Sequence, residues 1–348
     1  MNDLLQALRE GKLDVLRAAI AADPKLARQP RLVGAAGGRA MQPALALLKK
    51  AGADLNASWR NYRPLHNLLQ SEPHAAVGKP DPARLACLEW LLANGADPEL
   101  LGAWPSARAI IVAAFVGSPE YVKVLLKGGA KIDGFAGAAL GDRKLVEKTL
   151  RARPDFARER DQGGLTALQC AAGSRMPAAD TLGTARLLIH AGAEVGALTR
   201  SWANDVNAAY FAAGRKDKAM FDLLLESGAD ATDAFSDAVW GGAYELAASA
   251  LAHGAMIDRA TANGKPLLND VIRWGQIPQM LWLLEHKANL NVADDLGWTA
   301  VHQAASRGNV RMLRAVLDAG GDPTGRDKEG RTPRDVTQSA KLAAILDG

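Results

Sequence analysis

DDLGWTAVHQAASRGNVRMLRAVLDAGGDPTGRD, residues 294–327, reads as two short helices joined by a turn and closed by glycine. Thr299 stands where an N-cap belongs, and the small pair Ala304/Ala305 lets a neighbouring helix approach closely. Gly320 stands where the second helix ends, a place that favours the left-handed conformation glycine adopts freely. A piece of this size cannot bury its apolar face alone, so it has to stack on copies of itself.

The copies are present. The second-helix exit recurs as ALLKKAGADLN (46–56), WLLANGADPEL (90–100), VLLKGGAKID (124–133), LLIHAGAEV (187–195), LLLESGADAT (223–232), ALAHGAMID (250–258) and LLEHKANLN (283–291). The first helix recurs as RPLHNLL (63–69), LTALQCAAG (165–173) and, in the last unit, TPRDV (332–336). Thr166 matches Thr299 as an N-cap, Leu91/Leu92 and Leu187/Leu188 fill seams between units, and Gly95, Gly192 and Gly228 match Gly320.

This pattern resembles the ankyrin-repeat family, whose repeat of roughly 33 residues carries T-P-L-H-x-A. The resemblance implies an all-α ankyrin-repeat solenoid of about eleven helix-turn-helix units, starting near residues 2, 30, 57, 102, 134, 161, 200, 233, 261, 294 and 328, with degenerate repeats of bacterial type. The expected organisation is a single continuous domain over 1–348, with an N-terminal cap (1–29), blocks 30–133, 134–232 and 233–327, and a C-terminal cap (328–348). Short finger turns join the units, but those starting at 30, 134 and 233 lack one, a recurrence after 104 and 99 residues. A missing finger would notch and segment the binding face. The first two blocks also carry insertions, SEPHAAVGKPDPAR (71–84) and GSRMPAADTLGTAR (173–186), that read as loops between the two helices of a unit.

Composition excludes several classes. Apolar residues are 48% and charged residues 23%, without an apolar window near twenty residues, so neither a membrane span nor bulk disorder is expected. The net charge of +4 comes from bases interleaved with acids, as in RKLVEKTLRARPDFARERD (143–161), which reads as a solvated face and does not point to nucleic acid. Cys87 and Cys170 cannot build a disulfide framework or a zinc site, and the first 22 residues carry scattered charges with no apolar signal core. A reduced, cytoplasmic, monomeric protein is expected; a secreted effector is the alternative, though no signal peptide is visible.

The residues of chemistry are sparse. There is no GxxxxGK[ST] and no HExxH, and the glycines Gly34/Gly37/Gly38 and Gly241/Gly242 lack the strand that a phosphate loop needs. His66 and His302 occupy the T-P-L-H place, where the resemblance implies a hydrogen bond to the finger backbone. His190, His253 and His286 end second helices. Both cysteines read as buried spacers. No metal or cofactor is expected. Asp237 and Asp270 stand at matching places one unit apart, about 10 Å, too far for a proton-sharing pair and at the edge of the ~6.5 to 9.5 Å inverting-glycosidase range.

What remains is tryptophan: eight, against four tyrosines and six phenylalanines. Trp90 and Trp282 sit among leucines and read as core. Trp59, Trp104, Trp202 and Trp298 fall in fingers, and Trp240 and Trp274 follow the small-residue pair of a first helix, places that the resemblance puts on the concave face. A finger tryptophan can also simply brace its neighbour. Tryptophan, tyrosine and arginine dominate interface hot spots. A partner-binding groove is therefore expected over Trp202, Tyr210, Trp240, Arg273, Trp274, Trp298 and Arg307, with a second patch of Trp59, Arg60, Tyr62, Arg63, Trp104 and Arg108. The expected function is a non-catalytic scaffold that binds a partner protein or peptide on that face. The alternative is a small-ligand or glycan-binding protein, even a hydrolase, with stacked tryptophans as platforms and Asp237 or Asp270 as acids.

Overall fold

A computed structural model describes residues 1–71, 80–201, 204–261 and 264–348. The chain divides into two compact units, Met1–Ala208 and Ala209–Gly348. In the first, helices pair in order: α1 (Asn2–Arg9) with α2 (Leu13–Ala22), α3 (Pro30–Gly38) with α4 (Gln42–Lys50), and α5 (Pro64–Gln70) with α6 (Pro82–Ala93). The series continues with α7 (Ala109–Val116) and α8 (Pro119–Lys127), α9 (Gly134–Leu140) and α10 (Arg143–Ala152), and α11 (Ala167–Gly173) and α12 (Thr181–His190). The second unit holds α13 (Ala208–Arg215), which starts at the boundary, with α14 (Lys218–Glu226), then α15 (Ala231–Trp240) with α16 (Tyr244–Ala252) and α17 (Leu267–Arg273) with α18 (Ile277–Glu285). It ends with α19 (Ala300–Arg307) and α20 (Val310–Asp318), and the short α21 (Pro333–Val336) and α22 (Ala340–Leu346). These are the expected eleven helix pairs.

Local capping chemistry marks several of the helix boundaries. The second helices α8, α10, α14 and α20 start on polar caps: the side chains of Ser118, Asp142, Asp217 and Asn309 accept the amides of Tyr121, Leu145, Met220 and Met312. The first helices α11 and α19 start on capping boxes, Thr166 with Gln169 and Thr299 with His302. Second helices end at left-handed glycines such as Gly192 (φ 86°) and Gly320 (φ 96°).

Successive first helices pack in sequence, α3 on α5, α5 on α7, α7 on α9 and α9 on α11 in one unit, and α17 on α19 and α19 on α21 in the other. Second helices follow suit, with α6 on α8 and α18 on α20 among them. Helix α7, AIIVAAFV, is apolar all round because it is covered on both sides. Small residues set the spacing. A Cβ on Gly37 of α3 would stand 2.6 Å from the Pro64 carbonyl at the start of α5.

Fingers form where the sequence places them. β1 (Leu101–Gly102) pairs antiparallel with β2 (Ala107–Arg108), and β3 (Thr199–Ser201) with β4 (Asn204–Val206). Single bridges Trp59–Tyr62, Arg160–Thr166 and Ala260–Pro266 make three more. The chain enters α3 through a 3-10 turn (Pro24–Arg28), and it enters α9 and α15 directly through the capping side chains of Asp133 and Asp230. Those are the three units expected to lack a finger. Of the insertion at 173–186, expected as a loop, residues 174–180 form the α11–α12 connection and 181–186 open α12; of that at 71–84, residues 82–84 open α6 and residues 72–79 lie outside the described ones. No helix among the described residues is long and apolar enough to cross a membrane.

Candidate functional site

In the second unit, Trp274 and Arg307 take equivalent places at the ends of α17 and α19, each before a left-handed glycine, while Trp240 ends α15 one position earlier in the repeat, at the place of Arg273. Trp274 is 61% exposed, more than any other large hydrophobic among the described residues. The Arg273 guanidinium lies 5.9 Å from its ring centroid, within cation–π range. Arg307 leans over the turn after Trp274, its guanidinium 3.0 Å from where a Cβ on Gly275 would sit. Trp240 is half-buried, and its carbonyl accepts from Gln279 of α18 at 3.3 Å.

Tyr210 is half-buried on α13. Burial and the nearby Asp237 carboxylate raise its pKa, and burial also raises that of Asp237. Trp298 turns the other way. Its Nε1–H donates to Asp327 at 3.0 Å, and Arg331 lies 6.0 Å from its ring, so it braces the next finger. Trp202 lies outside the described residues.

In the first unit the second patch divides. Trp59, 39% exposed, has the guanidiniums of Arg60 and Arg31 at 4.7 and 5.2 Å from its ring, with Tyr62 bridged to it across the finger. Trp104 is half-buried and donates from Nε1 to the Arg60 carbonyl at 3.3 Å. Arg63 and Arg108 depart from the expectation of a surface role. Arg63 points inward to the carbonyls of Leu101 (2.8 Å) and Asn56. Arg108 is 8% exposed and pairs with Asp133 at 2.7 Å and Glu99 at 3.2 Å. Each follows from finger geometry, which leaves carbonyls and the Asp133 cap facing a long cation that can reach them.

The histidines hold the scaffold. His66 Nε2 bonds the Ala107 carbonyl at 3.0 Å, and His302 Nε2 that of Arg331 at 3.1 Å. Gln169 and Asn269 take the same place on α11 and α17, donating to Ala197 at 2.8 Å and to Trp298 at 2.7 Å. His253 and His286 bond carbonyls one turn back, both at 2.8 Å. Burial pushes the Cys87 thiol up to about 11 and the Cys170 thiol well above its ordinary value, so neither offers a thiolate. Among the described residues no three metal-ligating side chains cluster. Asp270 is 2% exposed, inside the helix packing. Trp282 stacks between Tyr244 (5.7 Å) and His286 (3.8 Å), while Trp240 and Trp274 do not stack on one another.

Sequence reasoning missed the arginines Arg9, Arg31, Arg39 and Arg84, which line clefts on the N-terminal helices. The signal available was the glycine run of α3, which leaves those side chains standing over an open floor.

A family model described as ankyrin repeats (many copies) matches residues 270–317. Residues of this chain are 44% identical over 81 positions to Ankyrin repeat protein nuc-2 of Neurospora crassa, covering 23% of this chain and 8% of that protein. They are 33% identical over 72 positions to Ankyrin repeat-containing protein P1E11.10 of Schizosaccharomyces pombe, covering 21% and 35%. The chain thus spans about a third or less of the length of these relatives. The crystal structure of the human ASB11 ankyrin repeat domain is similar at a TM-score of 0.49 and 20% identity, over 63% of this chain and 99% of that one. Both relatives are fungal, and the expectation of a bacterial repeat type finds no support in them.

Proposed function

We propose that this chain, which belongs to the ankyrin-repeat family, captures a protein partner on the face formed by Trp240, Arg273, Trp274 and Arg307. Ankyrin repeats serve protein–protein interaction, and stacked repeats create extended surfaces without a catalytic apparatus. The observation that carries the finer reading is Trp274, 61% exposed beside Arg273, with Arg307 at the equivalent place on α19 and Trp240 at the end of α15. An indole covers a large area with few rotors, and a flanking guanidinium adds a polar handle, the combination that dominates binding energy at interfaces. Tyr210 extends the face. Trp298, Arg63 and Arg108 are assigned to the scaffold instead. The hydrolase alternative gains nothing from Asp270, whose carboxylate lies within the helix packing.

The test is capture from native lysate by the wild-type chain beside the Trp240→Ala/Arg273→Ala/Trp274→Ala variant, with proteins and small molecules analysed together. A protein retained by the wild type and lost by the variant is the expected result. An unchanged eluate overturns the reading, and loss of a small molecule instead transfers the site to ligand binding.

A further inference from the structure

Helix α3, PRLVGAAGG, places Arg31, Ala35 and Arg39 on one face at four-residue intervals, with Gly34 and Gly38 beside them. The glycines lie against α5: a Cβ on Gly34 would stand 2.9 Å from Asn67 Nδ2, and one on Gly38 3.0 Å from Ser71 Oγ. With no side chains there, the surface over α1, α3 and α5 sinks into a cleft of about 640 Å³, continued by a second of about 250 Å³ toward Trp59 and Tyr62. Leu5, Leu8 and Met41 give it an apolar wall.

Among the described residues, the charged side chains lining this cleft are of one sign. Arg9 lines both parts, Arg39 and Arg84 the larger and Arg31 the smaller, and among the described residues neither lining contains an aspartate or glutamate. Arg84 is fixed by the carbonyls of Leu68 at 2.9 Å and Gly38 at 3.1 Å. Among the described residues Arg9, Arg31 and Arg39 have no carboxylate within ion-pair distance, and the acid adjoining Arg9, Glu10, is taken by Lys12 at 2.6 Å. Other cations of this unit find carboxylates, as Arg108 does with Asp133 and Arg153 with Glu159, or backbone carbonyls, as Arg158 and Arg160 do.

We infer that this cleft is a receptor for an acidic peptide segment, whose carboxylates are received by Arg9, Arg31 and Arg39 and whose aliphatic side chains lie on Leu5, Leu8 and Met41. The planar guanidinium fork suits carboxylate oxygens in pairs, and the matching of charges is what selects the segment. A single-stranded nucleic acid fits less well, because it needs an aromatic face for base stacking and Trp59 already carries two guanidiniums. The inference shares with the proposed function only the premise that the ligand is a protein. Trp274 does not line the cleft, so the two stand or fall separately.

The experiment is fluorescence anisotropy on the full chain with a labelled peptide of alternating glutamate and leucine, against the same peptide with glutamine and an oligothymidylate of equal charge. The glutamate peptide is expected to bind about tenfold more tightly than the glutamine peptide, and to weaken as salt is raised. Arg9→Glu with Arg39→Glu, both exposed side chains, should lower that affinity about tenfold with unchanged circular dichroism and should admit a lysine–leucine peptide that the wild type rejects. Trp274→Ala should leave the affinity unchanged. Equal binding of the glutamate and glutamine peptides, an unaffected charge-reversed variant, tighter binding of the oligothymidylate, or a loss with Trp274→Ala would each overturn the assignment.

Discussion

Lys265 Nζ stands 2.5 Å from Asp294 Oδ2, joining two successive fingers of the second unit. The other carboxylate oxygen accepts the amides of Leu296 at 2.9 Å and Trp298 at 3.0 Å, and Gln303 completes the set at 3.1 Å. Burial alone would raise the Asp294 pKa, but Lys265 and the two amides outweigh it and hold the carboxyl below its ordinary value. The stability it contributes is therefore present above the unfolded carboxylate pKa and is lost as pH falls through the lower folded value. Lys265→Met should cost about 3 kcal/mol in urea unfolding at neutral pH by stranding a buried carboxylate, and should shrink the acid-side loss.

His66 behaves in the opposite sense. Its ring is buried with Nε2 on the Ala107 carbonyl, and burial lowers its pKa to about 4 despite that bond. Between pH 6.5 and about 4 the unfolded chain takes a proton that the folded chain refuses, so stability declines across that window by ~3 kcal/mol. His66→Gln should flatten the decline while keeping stability at pH 7 within about 1 kcal/mol, because Gln169 makes the same bond on α11. Urea midpoints measured across that pH range check both statements.

Two glycines make a matched pair. A Cβ on Gly163 would stand 1.9 Å from the Ser106 carbonyl oxygen, whereas one on Gly196 meets nothing within 4 Å, and neither glycine has a left-handed φ. Gly163→Ala should lower stability by about 2 kcal/mol through steric overlap. Gly196→Ala should be neutral or add about 0.5 kcal/mol by restricting the unfolded chain, and thermal unfolding separates the two.

Arg108→Ala should behave as a stability variant. It leaves Asp133 and Glu99 without their cation, and Asp133 also caps α9 through the Ala136 amide at 2.9 Å. A loss of about 2 kcal/mol is expected by urea unfolding, with partner capture intact wherever the chain remains folded.

The helix pairs and the missing fingers were legible because they repeat: each Ala pair, Leu pair and closing glycine is a local device read many times over. The faces were less legible. Arg63 and Arg108 look in sequence like finger cations bound for the surface, yet the carbonyl of Leu101 and the carboxylate of Asp133 that turn them inward lie 38 and 25 residues away. Trp298 was drawn inward in the same manner by Asp327, 29 residues on. Arg9, Arg31 and Arg39 escaped notice for the converse reason. They belong to separate helical positions and become one feature only when α1 and α3 pack.

The hydrogen bonds from His66, Gln169 and Asn269 to the hairpin that follows lie on α5, α11 and α17, three helix pairs apart. In a one-dimensional array, stability is the sum of what each unit contributes and what it gains from its neighbour, so coupling made from α5, α11, α17 and, through His302, α19 makes resistance to opening uneven along the chain. The direct turns into α9 and α15 have no hairpin to receive such a bond, and Asp133 and Asp230 secure them mainly through helix capping and arginine pairs, Arg108 and Arg259. Amide hydrogens around those two turns should exchange soonest within their own units, and sooner still in high salt, which screens ion pairs and spares the hairpin bonds.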